Sequence, residues 1–181
     1  KKDLERRIKI LEKSDLYKDK NELKQLERMH TLGEVNFDSV FVIDFGNRLK
    51  SVLTSFMFSD VSNNEVSFFT INQWFDETFF NENAMQNLHF PSINFRNFKK
   101  FNKKFLKSYN EKPNEVSILG YDALGLIYYC WFNNNFHFKQ DQLYNKQGFK
   151  GLHGEFIIED NISKQKLNIY KVSKKKFIKV Y

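Results

Sequence analysis

The chain has 181 residues, 41% hydrophobic and 17% aromatic, with a net charge of +7 and an isoelectric point near 9.3. That is enough apolar material for one domain or two small lobes, and with 7 Gly and 2 Pro it excludes both a disordered chain and a small loop-rich scaffold. A single cysteine, Cys130, excludes an internal disulfide and reads as a packed core thiol.

The positive balance suits a nucleic acid, an anionic membrane surface or an acidic polymer such as peptidoglycan. The lysines, however, spread over helix faces and the terminal hairpin, without an RNA-binding signature or zinc spacing. A solvated surface is the favoured account, and no nucleic-acid partner is expected.

The opening Lys1-Lys2-Asp3-Leu4-Glu5-Arg6-Arg7 enters a charged helix directly, with no apolar targeting core, so the chain reads as an internal fragment or a processed product. Residues 3 to 31 predict two amphipathic helices, with Leu4, Ile8 and Leu11 on one and Leu23, Leu26 and Met29 on the other, joined by a turn from Ser14 to Asn21. Each stripe is too short for a coiled coil.

Val40-Phe41-Val42-Ile43 predicts a strand buried on both faces, as in a parallel sheet, ended by Asp44-Phe45-Gly46-Asn47. Leu49, Val52, Leu53 and Phe56 give a helical stripe, and Val66-Ser67-Phe68-Phe69-Thr70 a second buried strand, which completes a βαβ unit. Residues 77 to 87 predict a helix. Leu88-His89-Phe90-Pro91-Ser92-Ile93 predicts a short extended connection, a candidate hinge, because Pro91 biases Phe90 away from helix.

Phe98, Phe101, Phe105 and Tyr109 then form one face of a strongly amphipathic helix whose other face holds Lys99, Lys100, Lys103, Lys104 and Lys107. Pro113 stands where the first turn of the next helix is expected, and that helix runs to about Phe132. Val116, Gly120, Ala123, Ile127 and Cys130 would be its narrow, closely packable face. Gly120, Asp122 and Gly125 interrupt its apolar run, and no stretch is long enough to span a bilayer. After a polar interval, Asn133 to Gln147, three closing antiparallel strands are expected at Glu155 to Ile158, Leu167 to Val172 and Phe177 to Tyr181.

In open α/β sheets ligands sit beyond the carboxyl ends of strands. The candidate ligand-binding residues are therefore Asp44, Asn47, Asn72 and Trp74. Asp44 would receive an ammonium group, Asn47 would cap the following helix, and Trp74 would stack on a ligand. The plainer account, which the residues favour, is that Asp44 and Asn47 satisfy backbone donors and Trp74 packs at an edge. Asp122 lies within a helix with no nucleophile at a telling spacing, so a structural hydrogen bond outweighs acid/base work. His30, His89, His137 and His153 are scattered and make no metal pattern, and His153 between glycines reads as a turn residue.

Taken in order, Phe37 to Val42, Thr70-Ile71-Asn72-Gln73-Trp74, Phe98 to Pro113 leading into Gly120-Tyr121-Asp122-Ala123, and Phe149 to Phe156 resemble the type I periplasmic-binding-protein family. Within it they are similar to the penicillin-binding protein activators related to leucine/isoleucine/valine receptors. The resemblance covers most of residues 36 to 181, and the long helical stretch from Lys1 to Gly33 points to the activator branch. It departs from the family where Glu159-Asp160-Asn161-Ile162 replaces an Asp-Gly turn and where Phe69 replaces a glycine before Thr70.

The resemblance implies an α/β fold with partial two-lobed open parallel sheets flanked by helices and C-terminal antiparallel strands, the lobes joined by three crossovers. Residues 1–88 would hold the helical elaboration and the end of the second lobe, 89–150 the return into the first lobe, and 151–181 the closing strands. The front of the first lobe, an N-terminal half of the same protein, would be missing. It further implies a non-enzymatic, cofactor-free binding domain in the periplasm, or on an outer-membrane-anchored lipoprotein of a Gram-negative bacterium. The partner would be a peptidoglycan synthase or, alternatively, a small amino-acid-like ligand of an ABC transporter. A third possibility is an α/β enzyme whose catalytic half lies upstream.

Overall fold

The charged N-terminal stretch forms two helices, α1 (Lys2–Leu11) and α2 (Tyr17–Leu26), in a computed structural model that describes residues 1–14, 16–29, 35–114 and 116–181. On α1, Leu4 and Leu11 are buried and Ile8 is half-buried, and Arg7 pairs with Glu22 of α2 at 2.9 Å. The turn is shorter than expected. Tyr17 already begins α2, because Asp19 in its first turn complements the helix dipole and takes a hydrogen bond from Ser14 Oγ. His30 and Gly33, named above, lie outside the described residues.

Strand β1 (Ser39–Val42), helix α3 (Gly46–Phe58) and strand β2 (Ser67–Thr70) form the expected βαβ unit, with β1 and β2 parallel and Val42 opposite Thr70. Leu49 and Leu53 of α3 are fully buried, and Phe56 meets Phe68 edge-on at 5.4 Å. Burial on both faces of these strands does not hold. In β1 only Val42 is buried, and Phe41 is 60% exposed; in β2, Phe68 and Thr70 are buried while Phe69 is open. Strand β1 is the edge of its sheet, and the described residues cover one face of the pair, so inward and outward side chains alternate.

Residues 77 to 87 form not a helix but two 3-10 turns, Glu77–Asn81 and Asn83–Met85. Asp76 starts the first by accepting the Thr78 N–H at 2.9 Å, but the Asn63 side-chain amide donates to the Asn83 and Gln86 carbonyls at 3.0 and 2.9 Å, and Asn87 takes a left-handed φ of 61°. The expected extended connection is strand β3 (His89–Ser92). Met85, Leu88 and Phe90 around it are 0% exposed, each contributing about 1.5–3 kcal/mol of transfer free energy.

Helix α4 (Phe95–Tyr109) starts where Asn94 Oδ1 accepts the Asn97 N–H at 3.1 Å and ends at Asn110, whose φ of 55° is left-handed. Helix α5 (Ser117–Phe132) starts four residues later than Pro113, because Asn114 Oδ1 accepts the Ser117 N–H at 2.9 Å and so sets the first turn there. Its buried line is Ile118, Asp122 and Cys130; of the expected face only Cys130 is buried, and Val116, Gly120, Ala123 and Ile127 are exposed. The Asp122 carboxylate, described below, fixes which side turns inward.

The polar interval contains one 3-10 turn, Gln140–Tyr144, and leads into β4 (Phe149–Lys150), β5 (Glu155–Glu159) and β6 (Ile162–Gln165), an antiparallel sheet of its own. The closing strands therefore do not form one group. Strand β6 was not expected, since Ile162 is its one apolar residue; its pairing follows from Asp160 and Asn161, both with positive φ, which make the two-residue turn that a β-hairpin needs. Strands β7 (Asn168–Ser173) and β8 (Lys176–Lys179) complete the other sheet, in the order β1-β2-β3-β7-β8. Among the described residues no helix is long and apolar enough to cross a membrane.

The chain divides into two compact units. Unit 1 gathers Lys1–Ile71, Asp76–Phe90 and Lys171–Ile178, with Phe79, Phe90, Val172 and Phe177 in its core; Phe80 and Phe177 meet at 4.6 Å. Unit 2 gathers Asn72–Phe75, Pro91–Tyr170 and Lys179–Tyr181, where Phe75 contacts Phe95 at 4.6 Å and Tyr170 at 4.9 Å, and the Tyr170 hydroxyl accepts the Phe95 N–H at 3.0 Å.

Candidate functional site

The four residues expected to bind a ligand fall into two pairs. Asp44 and Asn47 belong to unit 1, at the start of α3, and Asn72 and Trp74 belong to unit 2. Asp44 is half-buried, and its Oδ1 accepts the Phe45 N–H at 2.8 Å. Asn47 is exposed and lies inside the first turn of α3, so it does not cap the helix; Gly46, with φ of 53°, lets the chain enter the helix one residue earlier. Behind this turn the Thr70 hydroxyl donates to the Val42 carbonyl at 2.7 Å, which ties the ends of β1 and β2 together.

In unit 2, Asn72 is exposed and Trp74 is half-buried with its ring 6.1 Å from that of Phe98. Buried Gln73 between them donates its N–H to the Pro91 carbonyl at 3.2 Å. One face of Trp74 is thus held by α4, while the neighbouring Asn72 amide is open to solvent.

A densely bonded polar group in unit 2 is Asp122. Helix α5 carries it inward, and the loop after β4 closes over it: Leu152 N–H donates to Oδ1 and His153 N–H to Oδ2, both at 2.8 Å, and His153 Nδ1 also meets Oδ2. The loop is shaped for this approach. A Cβ on Gly151 would lie 2.6 Å from Asp122 Cγ, the Gly151 N–H donates to the Gly154 carbonyl at 2.9 Å, and Gly154 has φ of 137°. Gln165 on β6 donates to the His153 carbonyl at 2.8 Å, and the imidazole stacks on Phe156 at 5.2 Å.

Burial pushes the Asp122 carboxyl pKa up, but the His153 side chain and then the His153 and Leu152 N–H groups pull it further down, leaving it below the ordinary 3.8. An ionised carboxylate saturated with donors is a poor proton acceptor, and its geometry is that of a staple between helix and loop. Beside it opens a cavity of about 600 Å³ lined by Tyr121, Leu126, Tyr129, Phe149 and Lys150. His153, expected as a turn residue, lies in the loop after β4 and is in addition a buried partner of Asp122. Gly151 was the available signal, since such close approach to a carboxylate requires a missing Cβ.

Among the described residues no cluster of three His, Cys, Asp or Glu side chains is placed to hold a metal ion.

No family model and no curated protein matches the sequence. Solved structures do match. The C-domain of LpoA (YraM) from Haemophilus influenzae, a regulator of PBP1A, is similar over 93% of this chain and 50% of that one, at 16% identity and a TM-score of 0.55. A putative branched-chain amino acid ABC transporter protein from Rhodospirillum rubrum is similar over 93% and 49%, at 12% identity and a TM-score of 0.67. The leucine-binding protein LivK from Thermotoga maritima is similar over 80% and 44%, at 13% identity and a TM-score of 0.51. The chain therefore has the type I periplasmic-binding-protein-like α/β fold, and it spans about half the length of the first two matched chains.

Proposed function

We propose that the chain is a non-enzymatic binding domain of the cell envelope, similar to a penicillin-binding protein activator that regulates peptidoglycan synthesis. The observation that carries this reading is the likeness to the Haemophilus influenzae PBP1A regulator across 93% of the chain. The staple at Asp122 supports it, because this buried carboxylate is committed to holding a loop.

On this reading the protein acts in the periplasm or on an outer-membrane-anchored lipoprotein of a Gram-negative bacterium, with a peptidoglycan synthase as partner and an N-terminal half supplying the rest of the fold. Residues 1–88 serve as the helical elaboration and end of one lobe, 89–150 as the return into the other, and 151–181 as closing strands. The passage of the chain between units at Phe90 and Pro91 supports the first boundary. Asp44, Asn47, Asn72 and Trp74 are the ligand-facing residues.

A second reading, the solute-binding subunit of an amino-acid ABC transporter, is favoured by the higher TM-score of 0.67 to the Rhodospirillum rubrum protein. Tryptophan fluorescence and thermal denaturation separate the two. Saturable quenching with a rise in melting temperature on adding a branched-chain amino acid, lost in Trp74→Ala, supports the transport reading. Capture of a purified peptidoglycan synthase with no response to amino acids supports the regulator. Turnover of any substrate that disappears in Asp122→Asn would overturn both.

A further inference from the structure

We propose that the groove between α4 and α5 is a docking site for an amphipathic helix of a partner protein that carries acidic residues beside its apolar anchors. The groove encloses about 580 Å³, and Phe101, Phe105, Tyr121 and Leu124 line it together with Lys100 and Lys104. Tyr121 and Leu124 are 48% and 71% exposed, so apolar surface stands open to water that a partner would bury. No lining residue is acidic.

The charge beside this apolar floor is one-sided. Helix α4 carries Arg96, Lys99, Lys100, Lys103, Lys104 and Lys107 and no Asp or Glu. Among the described residues none of these cations forms an ion pair. Lys99 and Lys104 instead lie over the rings of Phe95 and Tyr121, at 5.5 and 5.9 Å. A row of uncompensated cations along an apolar groove complements an acidic amphipathic helix, the geometry in which helical segments dock into grooves. It disfavours a second copy of this chain, whose net charge is +7. It also disfavours a nucleic acid, whose phosphates gain nothing from the apolar floor.

Gly120 lines the same groove, and a Cβ built on it meets nothing within 4 Å. Glycine inside a helix weakens it relative to alanine, and no atom of the described residues requires the missing side chain. Close approach by another backbone would use that space. This inference stands on the groove itself and is independent of the binding role proposed for the strand ends.

The test is fluorescence anisotropy of the 181-residue chain with a labelled peptide of about five helical turns, apolar on one stripe and flanked by Glu, against twins with Gln or Lys in place of Glu. The Glu peptide is expected to bind best and to weaken at least roughly tenfold on raising salt or in Lys100→Glu/Lys104→Glu, which should then prefer the Lys peptide. Gly120→Leu, whose fold is checked by circular dichroism, should block all three by filling the groove. Absence of binding, or equal binding of the three peptides, overturns the proposal and leaves an apolar surface without charge selectivity. Displacement by a short DNA duplex, or dimerisation of the chain that Leu124→Asp abolishes, overturns it in favour of those occupants.

Discussion

His153 and Asp122, 31 residues apart, meet twice on one oxygen: Asp122 Oδ2 accepts the His153 backbone N–H at 2.8 Å and binds the His153 ring nitrogen Nδ1. With the Leu152 N–H on Oδ1, the carboxylate fixes both the rotation of α5 and the path of the loop after β4. Asp122→Asn keeps the shape but removes the charge and one acceptor, and is expected to cost about 1.5–3 kcal/mol in urea unfolding at neutral pH.

That difference should depend on pH in one direction. The folded-state pKa of Asp122 is depressed below 3.8, so its stabilisation is fully present above the unfolded value and is lost as pH falls through the folded one. Unfolding free energies of the native chain and Asp122→Asn should differ by a constant amount down to about pH 5 and converge under more acid conditions. A gap that stays constant into the acid range would show that the carboxylate charge contributes nothing.

Gly151→Ala tests the same junction sterically. Its methyl would lie 2.6 Å from Asp122 Cγ, so either the loop lifts or α5 turns. The expected loss is about 1–3 kcal/mol, read as a fall in the thermal midpoint. A double mutant with Asp122→Ala should lose much less than the sum of the two single changes, because both act on one contact.

Gly120→Ala and Gly125→Ala carry the opposite sign. Both glycines lie within α5, and an added Cβ meets nothing within 4 Å at either. Each alanine should raise the stability of this chain by about 0.5–1 kcal/mol, measured by thermal denaturation. A loss at either position would mean that the helix is bent or crowded there.

Thr70→Val removes the hydroxyl that donates to the Val42 carbonyl at 2.7 Å while keeping the volume of the side chain. The expected cost is about 1–3 kcal/mol, since the Val42 carbonyl loses a buried partner, with faster amide exchange at the ends of β1 and β2 as a second readout.

Much of the fold is legible from period alone. Leu49 and Leu53 announce a buried helix face, while of the α4 stripe only Phe101 is buried and Tyr109 stands 67% exposed; the βαβ unit follows from two apolar runs around one helix. Strand β6 was not legible, because Ile162-Ser163-Lys164-Gln165 has no alternation and its pairing comes from the turn before it. Nor was the buried side of α5: the helix is apolar almost all round, so spacing cannot choose a face, and a single carboxylate does. At the candidate site, the residue types at Asp44 and Trp74 were readable as strand-end positions. The partnership of Asp122 with His153 was not, since it joins residues distant in the chain through a loop whose shape depends on glycine.

Each unit is stitched from three separate stretches, and the last stretch of unit 1, Lys171–Ile178, follows nearly all of unit 2. A ribosome making this chain therefore completes neither unit until β7 and β8 have emerged. Val172 and Phe177, both core residues of unit 1, are made long after the strands they pack on, so Phe80 and Phe90 wait for Phe177 through the making of about half of these 181 residues. During that interval the apolar strands β1 to β3 stand exposed and open to aggregation. A stop codon shortly before Val172 should yield aggregate, not a smaller folded domain.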